Sequence, residues 1–302
     1  MFAAMANEPN WRESVVEPMQ AGLKRIFPGY GAPVVPAVRL SGTIGRVSRF
    51  QAGMTLSGVA PLLKKAFAIK PSPAVALIVN SPGGSPVQSH LIYKRIRALA
   101  EEKEKTVIVF VEDVCASGGY MIACAGDEIV VDPASIVGSI GVVSAGFGFV
   151  DAMRKIGVER RVYTSGDAKV ILDPFQPEKS EDVARLKAIQ EEVHDHFIEI
   201  VRTRRGEVLA KERDSEIFSG QFWSGKTAVS LGLADRSGDI RTVLRERYGE
   251  KVRLKLFSTE RSIFGQRKGV GIGGIGGAAG SAFAETLLSE LDERALWERY
   301  RL

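Results

Sequence analysis

An α/β fold with buried, mainly parallel strands is what this 302-residue sequence predicts. Two observations carry that expectation. Ala74–Val79 (AVALIV) and Thr106–Val111 (TVIVFV) are short, continuous apolar runs. Runs of that kind mark strands covered on both faces, as inside a parallel sheet. Around them lie longer segments with helical periodicity, and the alternation of the two argues for helices crossing over between parallel strands.

The elements follow in order. Val34–Leu40 reads as the opening strand and Thr55–Ile69 as the first crossover helix. Pro86–Glu104 is helical, with proline at its start where no N–H is needed. Ser117–Ala125 reads as a short helix after a sharp turn, and Ile129–Val131 and Ile140–Val143 as short strands. Val150–Ile156 reads as a helix and Arg160–Tyr163 as a strand. Ser180–Arg205 is a long helix with apolar residues at 183, 186, 189, 193, 197 and 200. Residues 226–248 read as mostly helical and Val252–Phe257 as a last strand. Three regions are expected: a peripheral or oligomerisation segment at 1–33, the main domain at 34–258, and a Gly-rich linker with a short amphipathic helix at 259–302. In the first, Trp11, Val15, Val16, Met19, Leu23, Ile26 and Phe27 recur at roughly helical spacing.

Composition narrows the function classes. Hydrophobic residues make up 45% and charged residues 25% of the chain. These are values of an ordinary globular protein and exclude a disordered chain, a collagen or a coiled-coil rod. The net charge of +5 is mild, and its excess is local. Between Arg236 and Lys268 stand ten Lys or Arg against four acids, which reads as a solvated surface or a face for an anionic membrane. No nucleic-acid partner is expected from so small an excess. Two cysteines, Cys115 and Cys124, make no disulfide framework. The longest uncharged stretches, Pro133–Val150 and Gly269–Ala284, are rich in Gly and Ser and read as turns, not membrane spans. The opening MFAAMANEPNWRESVVEP lacks a signal-peptide apolar region. A cytoplasmic protein is therefore expected, with peripheral contact to the inner membrane through residues 11–27 or 236–268 as a further expectation.

Two turns carry candidate chemistry. Asn80-Ser81-Pro82-Gly83-Gly84-Ser85 follows a buried strand and precedes a helix. Adjacent glycines there let the backbone approach a ligand closely and aim N–H groups at it, as an oxyanion or phosphate cradle does. The plain alternative is an ordinary strand–helix turn, and no P-loop lysine follows. Cys115-Ala116-Ser117-Gly118-Gly119-Tyr120 repeats the arrangement with a serine at the turn. A serine between small residues at such a bend follows the logic of a nucleophile elbow; its alternative is a helix cap.

A partner for that serine is less clear. The chain has three histidines, His90, His194 and His196. His194 and His196 are two apart on a helix and do not face one way, so neither a metal pair nor a Ser-His-Asp triad is expected. Lys169, at the end of Thr164–Lys169 (TSGDAK), precedes Val170-Ile171-Leu172. Burial there would disfavour its ammonium form, and a neutral lysine activates serine without histidine. Gly138-Ser139-Ile140-Gly141-Val142 adds a second hydroxyl in a Gly/Ser turn.

Taken together these pieces resemble the signal peptide peptidase A (SppA) family of Ser-Lys serine peptidases, in its short single-unit bacterial form. Gly42-Thr43-Ile44, NSPGG (80–84), ASGGY (116–120), GSIGV (138–142) and Ser165-Gly-x-x-Lys169 appear in the family's order, and Gly220–Asp235 resembles its closing motif. The resemblance spans about residues 34–258. It implies a ClpP/crotonase-like fold, Ser117 as nucleophile, Lys169 as general base and Ser139 as the residue orienting Lys169. It also implies an oxyanion hole from Gly84 and from Ser117 or Gly118, here taken as Gly118. Neither metal nor cofactor is implied. The expected substrates are extended apolar peptides such as signal-peptide remnants, cleaved through an acyl-enzyme, and the expected assembly is a homo-oligomer. Two alternatives stay open: a catalytically silent scaffold binding peptide or membrane, and a crotonase-type acyl-CoA enzyme on the same fold.

Overall fold

The computed structural model describes residues 32–45, 53–166 and 168–258. The expected N-terminal helix falls within residues 1–31, and the Gly-rich stretch and C-terminal helix within 259–302; all lie outside the described residues.

One sheet organises the chain. Its strands are β1 (Val34–Ser41), β2 (Ala74–Ser81), β3 (Thr106–Ala116), β4 (Glu128–Val131), β5 (Ile136–Gly138), β6 (Phe222–Ser224), β7 (Arg236–Ser237) and β8 (Arg253–Phe257). The order is β6-β5-β3-β2-β1-β8, with β4 beside β3 and β7 beside β4. All pairings are parallel except β5 with β6. The α/β class with buried parallel strands is therefore as the sequence predicts, and it is the ClpP/crotonase-like arrangement.

Alternation along the central strands builds two apolar layers. Val75, Leu77 and Val79 of β2 face one side, with Leu63, Phe67, Ile92, Ile96 and Tyr120 from helices α1 (Leu56–Phe67), α2 (Pro86–Lys103) and α3 (Gly118–Ala123). Ala74, Ala76 and Ile78 face the other, with Val243 and Leu244 of a later helix, Ile240–Tyr248. Both faces of β2 are thus covered, which is why its sequence is apolar from Ala74 to Val79.

β3 serves two neighbours in succession. Its first half pairs with β4 at Ile108–Val111, and its last residues pair with β5 at Val114–Ala116. Between the halves the register against β2 slips, from Val79 opposite Val111 to Ser81 opposite Cys115. The looped-out acids are held from β1 and β2. Arg39 donates to both carboxylate oxygens of Glu112 at 2.7 and 2.9 Å. Asn80 donates to Asp113 at 2.8 Å and accepts from the Val114 N–H at 3.1 Å.

Several expectations are corrected. Ile140–Val143 is not a strand: the ladder lies at Ile136–Gly138, and positive φ angles at Gly138 (116°) and Ser139 (54°) turn the chain out of the sheet there. Arg160–Tyr163 is exposed and joins no ladder, so its strand-forming residues have nothing to pack on. Residues 226–248 form two helices, Gly225–Ser230 and Ile240–Tyr248, with β7 between them. Only the C-terminal half of Ser180–Arg205 (α5 in chain order, after α4 at Val150–Ile156) is buried, at Phe197, Ile200, Val201 and Arg205.

That buried arginine closes the domain. Arg205 is 5% exposed and donates to the Gly232 carbonyl and to Asp235 Oδ2 at 2.9 Å. Asp235 also accepts the Ile129 N–H, and the Tyr120 hydroxyl donates to the Leu233 carbonyl at 2.8 Å. Replacing Arg205 by Ala leaves the buried Gly232 carbonyl without its donor and takes the cation from a partly exposed Asp235, so a loss of about 1–3 kcal/mol is expected. Denaturant unfolding measures it; in a cycle with Asp235→Ala the double variant should lose less than the sum of the singles.

Candidate active site

The candidate site forms where β2 and β3 end side by side. Each strand runs through a glycine pair into a helix, and the two turns pack backbone to backbone. Gly83 and Gly84 have φ of 104° and 138°. A side-chain carbon on Gly83 would stand 2.8 Å from the Ser117 Cβ and 3.0 Å from the Gly118 nitrogen. One on Gly84 would fall on the Ile44 carbonyl oxygen, well inside van der Waals contact. No other residue type fits at either position without moving a neighbouring backbone.

Ile44 fixes the direction of Gly84. The Ile44 N–H donates to the Gly83 carbonyl and the Ser85 N–H donates to the Ile44 carbonyl, both at 2.8 Å. In such a parallel bridge the N–H of the bracketed residue points the opposite way. The Gly84 N–H therefore faces away from Ile44.

Ser117 sits at a strained bend, with φ 51° and ψ −124°. That conformation costs a non-glycine residue of order 1–3 kcal/mol and persists only where its surroundings impose it. Here the surroundings are explicit. The Ser117 N–H donates to the Gly138 carbonyl at 2.8 Å, its own carbonyl accepts from the Met121 N–H at 3.0 Å, and Gly83 leaves room for its side chain. Its hydroxyl makes no cap bond to the helix it precedes. Because the Ser117 N–H is spent on Gly138, it is removed from the choice the sequence left open. The N–H groups of Gly84 and Gly118 are without a hydrogen-bond partner among the described residues.

The far end of that short helix is clamped. Arg97 donates to the Ala125 carbonyl, Arg204 to those of Cys124 and Gly126, and both meet Asp127 Oδ1 at 2.7 and 3.0 Å. These two guanidiniums satisfy the carbonyls that end a helix and hold α3, hence Ser117, against α2 and α5.

A cavity of about 480 Å³ opens in front. Ser117, Gly84 and Ser139 line it, with Pro82, Pro86 and Val142 as apolar wall. Ser139 is buried, 4% exposed, and its N–H donates to the Gln221 carbonyl at 2.6 Å. Three of the site residues expected from sequence therefore line one cavity, and Gly118 lies buried next to Ser117 in the chain. Lys169 is not brought there: it is exposed and absent from the cavity wall. The burial expected for it from its apolar neighbours is thus corrected. It rides on an arm between β5 and α5 whose residues 143–149 and 158–166 are exposed throughout. The arm packs mainly on itself, with Phe149 stacked on Phe175 at 5.5 Å and Arg160 over the same ring at 4.7 Å.

Sequence reasoning missed His194, which lines the cavity and, in the Nε2–H tautomer, donates to the Ile140 carbonyl at 3.1 Å. Its signal was its neighbour two positions on, but as the opposite of a metal pair: His194 turns into the cavity while His196 meets His90 at 3.2 Å. The cysteines take no part. Burial pushes the Cys124 thiol up to about 12 and raises Cys115 well above its ordinary value, so neither is a thiolate nucleophile. Among the described residues no group of three or more His, Cys, Asp or Glu could hold a metal ion.

The family model for peptidase family S49 matches residues 99–253. The chain belongs to peptidase family S49. It is 31% identical over 209 residues to the chloroplastic serine protease SPPA of Arabidopsis thaliana, covering 65% of this chain and 30% of that one. It is 33% identical over 190 residues to protease 4 of Haemophilus influenzae, covering 60% of this chain and 29% of that one. The SppA resemblance read from the motifs is thus borne out. A Brucella abortus protein named Na(+)/H(+) antiporter NhaA is 55% identical over 290 residues, covering 93% of this chain but 39% of its own length. The chain thus spans less than half of each of these three relatives. Among the described residues no helix is long and apolar enough to cross a membrane.

Gly84→Ala should destabilise the fold by about 1–3 kcal/mol through strain at a special φ and a backbone clash, read by thermal melting. The His90–His196 contact should make the α2–α5 junction acid-sensitive. Burial, then the charges of His196 and Lys94, hold His90 below its usual value. A lowered histidine value stabilises the fold above the unfolded value of about 6.5 and withdraws that stability as pH falls through the folded one. Stability of the wild type should therefore fall more between neutral and mildly acidic pH than that of His90→Gln.

Proposed function

We propose that this chain is a serine endopeptidase acting on extended apolar peptides through Ser117, with Lys169 as general base. The observation that carries the reading is a strained, partly exposed serine facing a cavity beside two N–H groups with no other partner. The Ser117 hydroxyl oxygen attacks the scissile carbonyl carbon while its proton passes to Lys169. The developing oxyanion is met by the Gly84 and Gly118 N–H groups, each worth roughly 2.7–4 kcal/mol. The C–N bond then breaks, the leaving amine takes the proton back from Lys169, and water releases the acyl group by the same path reversed. Ser139 is the residue that orients Lys169. Small and apolar walls at Pro82, Pro86 and Val142 suit small apolar side chains of a peptide lying extended across the turns.

Lys169 reaches Ser117 only in an assembly, in this reading. The arm that bears it exposes Val143, Phe147, Phe149, Ile156, Val158 and Tyr163, an apolar surface unsuited to an isolated chain. Docked on a second copy, that arm brings its lysine to the neighbour's cavity. A homo-oligomer is thus part of the proposal, as are a cytoplasmic location with peripheral membrane contact and the three-region division at 33/34 and 258/259.

A second reading rests on His194, which lines the cavity as Lys169 does not. With Nε2 committed to the Ile140 carbonyl, its Nδ1 is left as an acceptor and a base. Casein and apolar fluorogenic peptides separate the two. Ser117→Ala should lose activity by roughly 10³-fold or more, together with labelling by a serine-reactive phosphonate, while melting is little changed. Lys169→Ala should be equally inactive and His194→Gln should not; the reverse pattern installs His194. Mixing Ser117→Ala with Lys169→Ala protein should restore about a quarter of wild-type activity if each site joins two copies in a ring. No restoration places both groups in one chain. A chain that binds peptide without cleaving it would be a scaffold, and one that instead binds coenzyme A would be a crotonase-type enzyme.

A further inference from the structure

The opposite end of the sheet holds a larger and differently charged cavity. About 1420 Å³ of open cleft runs across the amino-terminal ends of β3, β2, β1 and β8. Lys70, Lys103, Lys105, Arg253 and Lys255 line it, against a single carboxylate, Glu104. Lys103 is paired with Glu102 at 2.7 Å. The other four cations lie within ion-pair distance of no carboxylate among the described residues.

Lys105 is the informative member. It is 8% exposed, and its ammonium donates to the Ile69 carbonyl at 2.5 Å. Burial, then the neighbouring charges of Lys70 and Lys103, disfavour its charged form. A buried ammonium with one neutral acceptor and two like charges beside it is costly, and an entering anion would relieve all three at once.

The ligand's chemistry follows from the donors. Four of the five cations are lysines, point charges that bind phosphate oxygens without a fixed fork geometry, and one phosphate group brings up to two negative charges where a carboxylate brings one. The cleft spans four strands, so the cations at its two ends stand about 14 Å apart. A single phosphate cannot meet both ends. Pro33, Pro71, Tyr248 and Leu254 add apolar wall between them.

We propose that this cleft binds a ligand bearing more than one phosphate group, held by Lys70, Lys103 and Lys105 at one end and by Arg253 and Lys255 at the other. It is separate from the Ser117 cavity and stands whether or not the chain is a peptidase.

Inositol hexakisphosphate is the probe, titrated calorimetrically into the full chain. Lys70→Glu with Lys255→Glu reverses exposed cations at both ends and should weaken binding at least about tenfold. Lys64→Glu with Lys65→Glu changes net charge equally, on the exposed last turn of α1 outside the cleft, and should change binding less than about twofold. Lys105→Met, judged only if its melting temperature is retained, should match the cleft pair. No binding up to about 1 mM, or equal weakening by cleft and control pairs, overturns the proposal. Sedimentation with phosphatidylcholine vesicles, with and without phosphatidic acid, separates two sources of the same chemistry. Vesicle binding competed by the soluble probe assigns lipid headgroups, and probe binding without vesicle binding assigns a soluble phosphorylated compound.

Discussion

The contact between two glycine-bearing turns is the constraint on which the rest of the structure depends. β2 and β3 are neighbours in a parallel sheet, so their carboxyl ends arrive together, about 4.8 Å apart. At that spacing two ordinary turns with side chains would collide. Gly83 meets Ser117, and Gly119 meets Ser81, with no room for a carbon atom on either glycine. The turns can then lie in contact, and every other feature of the site is arranged around that contact. Ile44 aligns Gly84 from one side, Gly138 takes the Ser117 N–H from the other, and Arg97 and Arg204 hold the far end of the helix.

The slip in β3 has the same purpose one level up. A straight strand would keep β4 as its neighbour to the end. The looped-out Glu112 and Asp113, tied to Arg39 and Asn80, hand the strand's last residues to β5 instead. It is β5 that supplies the Gly138 carbonyl. Polar residues at the surface of the sheet thereby decide the backbone geometry of a serine several residues away.

Much of this was legible in the sequence because the physics is local. AVALIV and TVIVFV announce burial on both faces, and a glycine pair directly after a buried strand announces close backbone approach. The failures have equally physical causes. Arg160–Tyr163 has strand-forming residues but no partner, and pairing is not a property of the segment itself. Ile140–Val143 has the right residues two positions past the backbone that the sheet uses. His194 is not legible from its sequence neighbour, which faces elsewhere; what places it at the cavity is the turn at Ile140, 54 residues away along the chain. Lys169 shows the same limit most sharply: its sequence context suggested burial, yet nothing within one described chain covers it.

The strain at Ser117 has a consequence for how such a sequence ages. At φ 51° glycine is at ease and serine is not. A lineage released from the need for that hydroxyl would find glycine at this position favourable by something of order 1 kcal/mol, offset in part by glycine's greater unfolded freedom. The backbone bend thus acts as a ratchet, since drift away from serine is downhill and return is uphill. Among chains that share this bend, the side chain standing at it is a compact historical record of whether the hydroxyl has stayed in use.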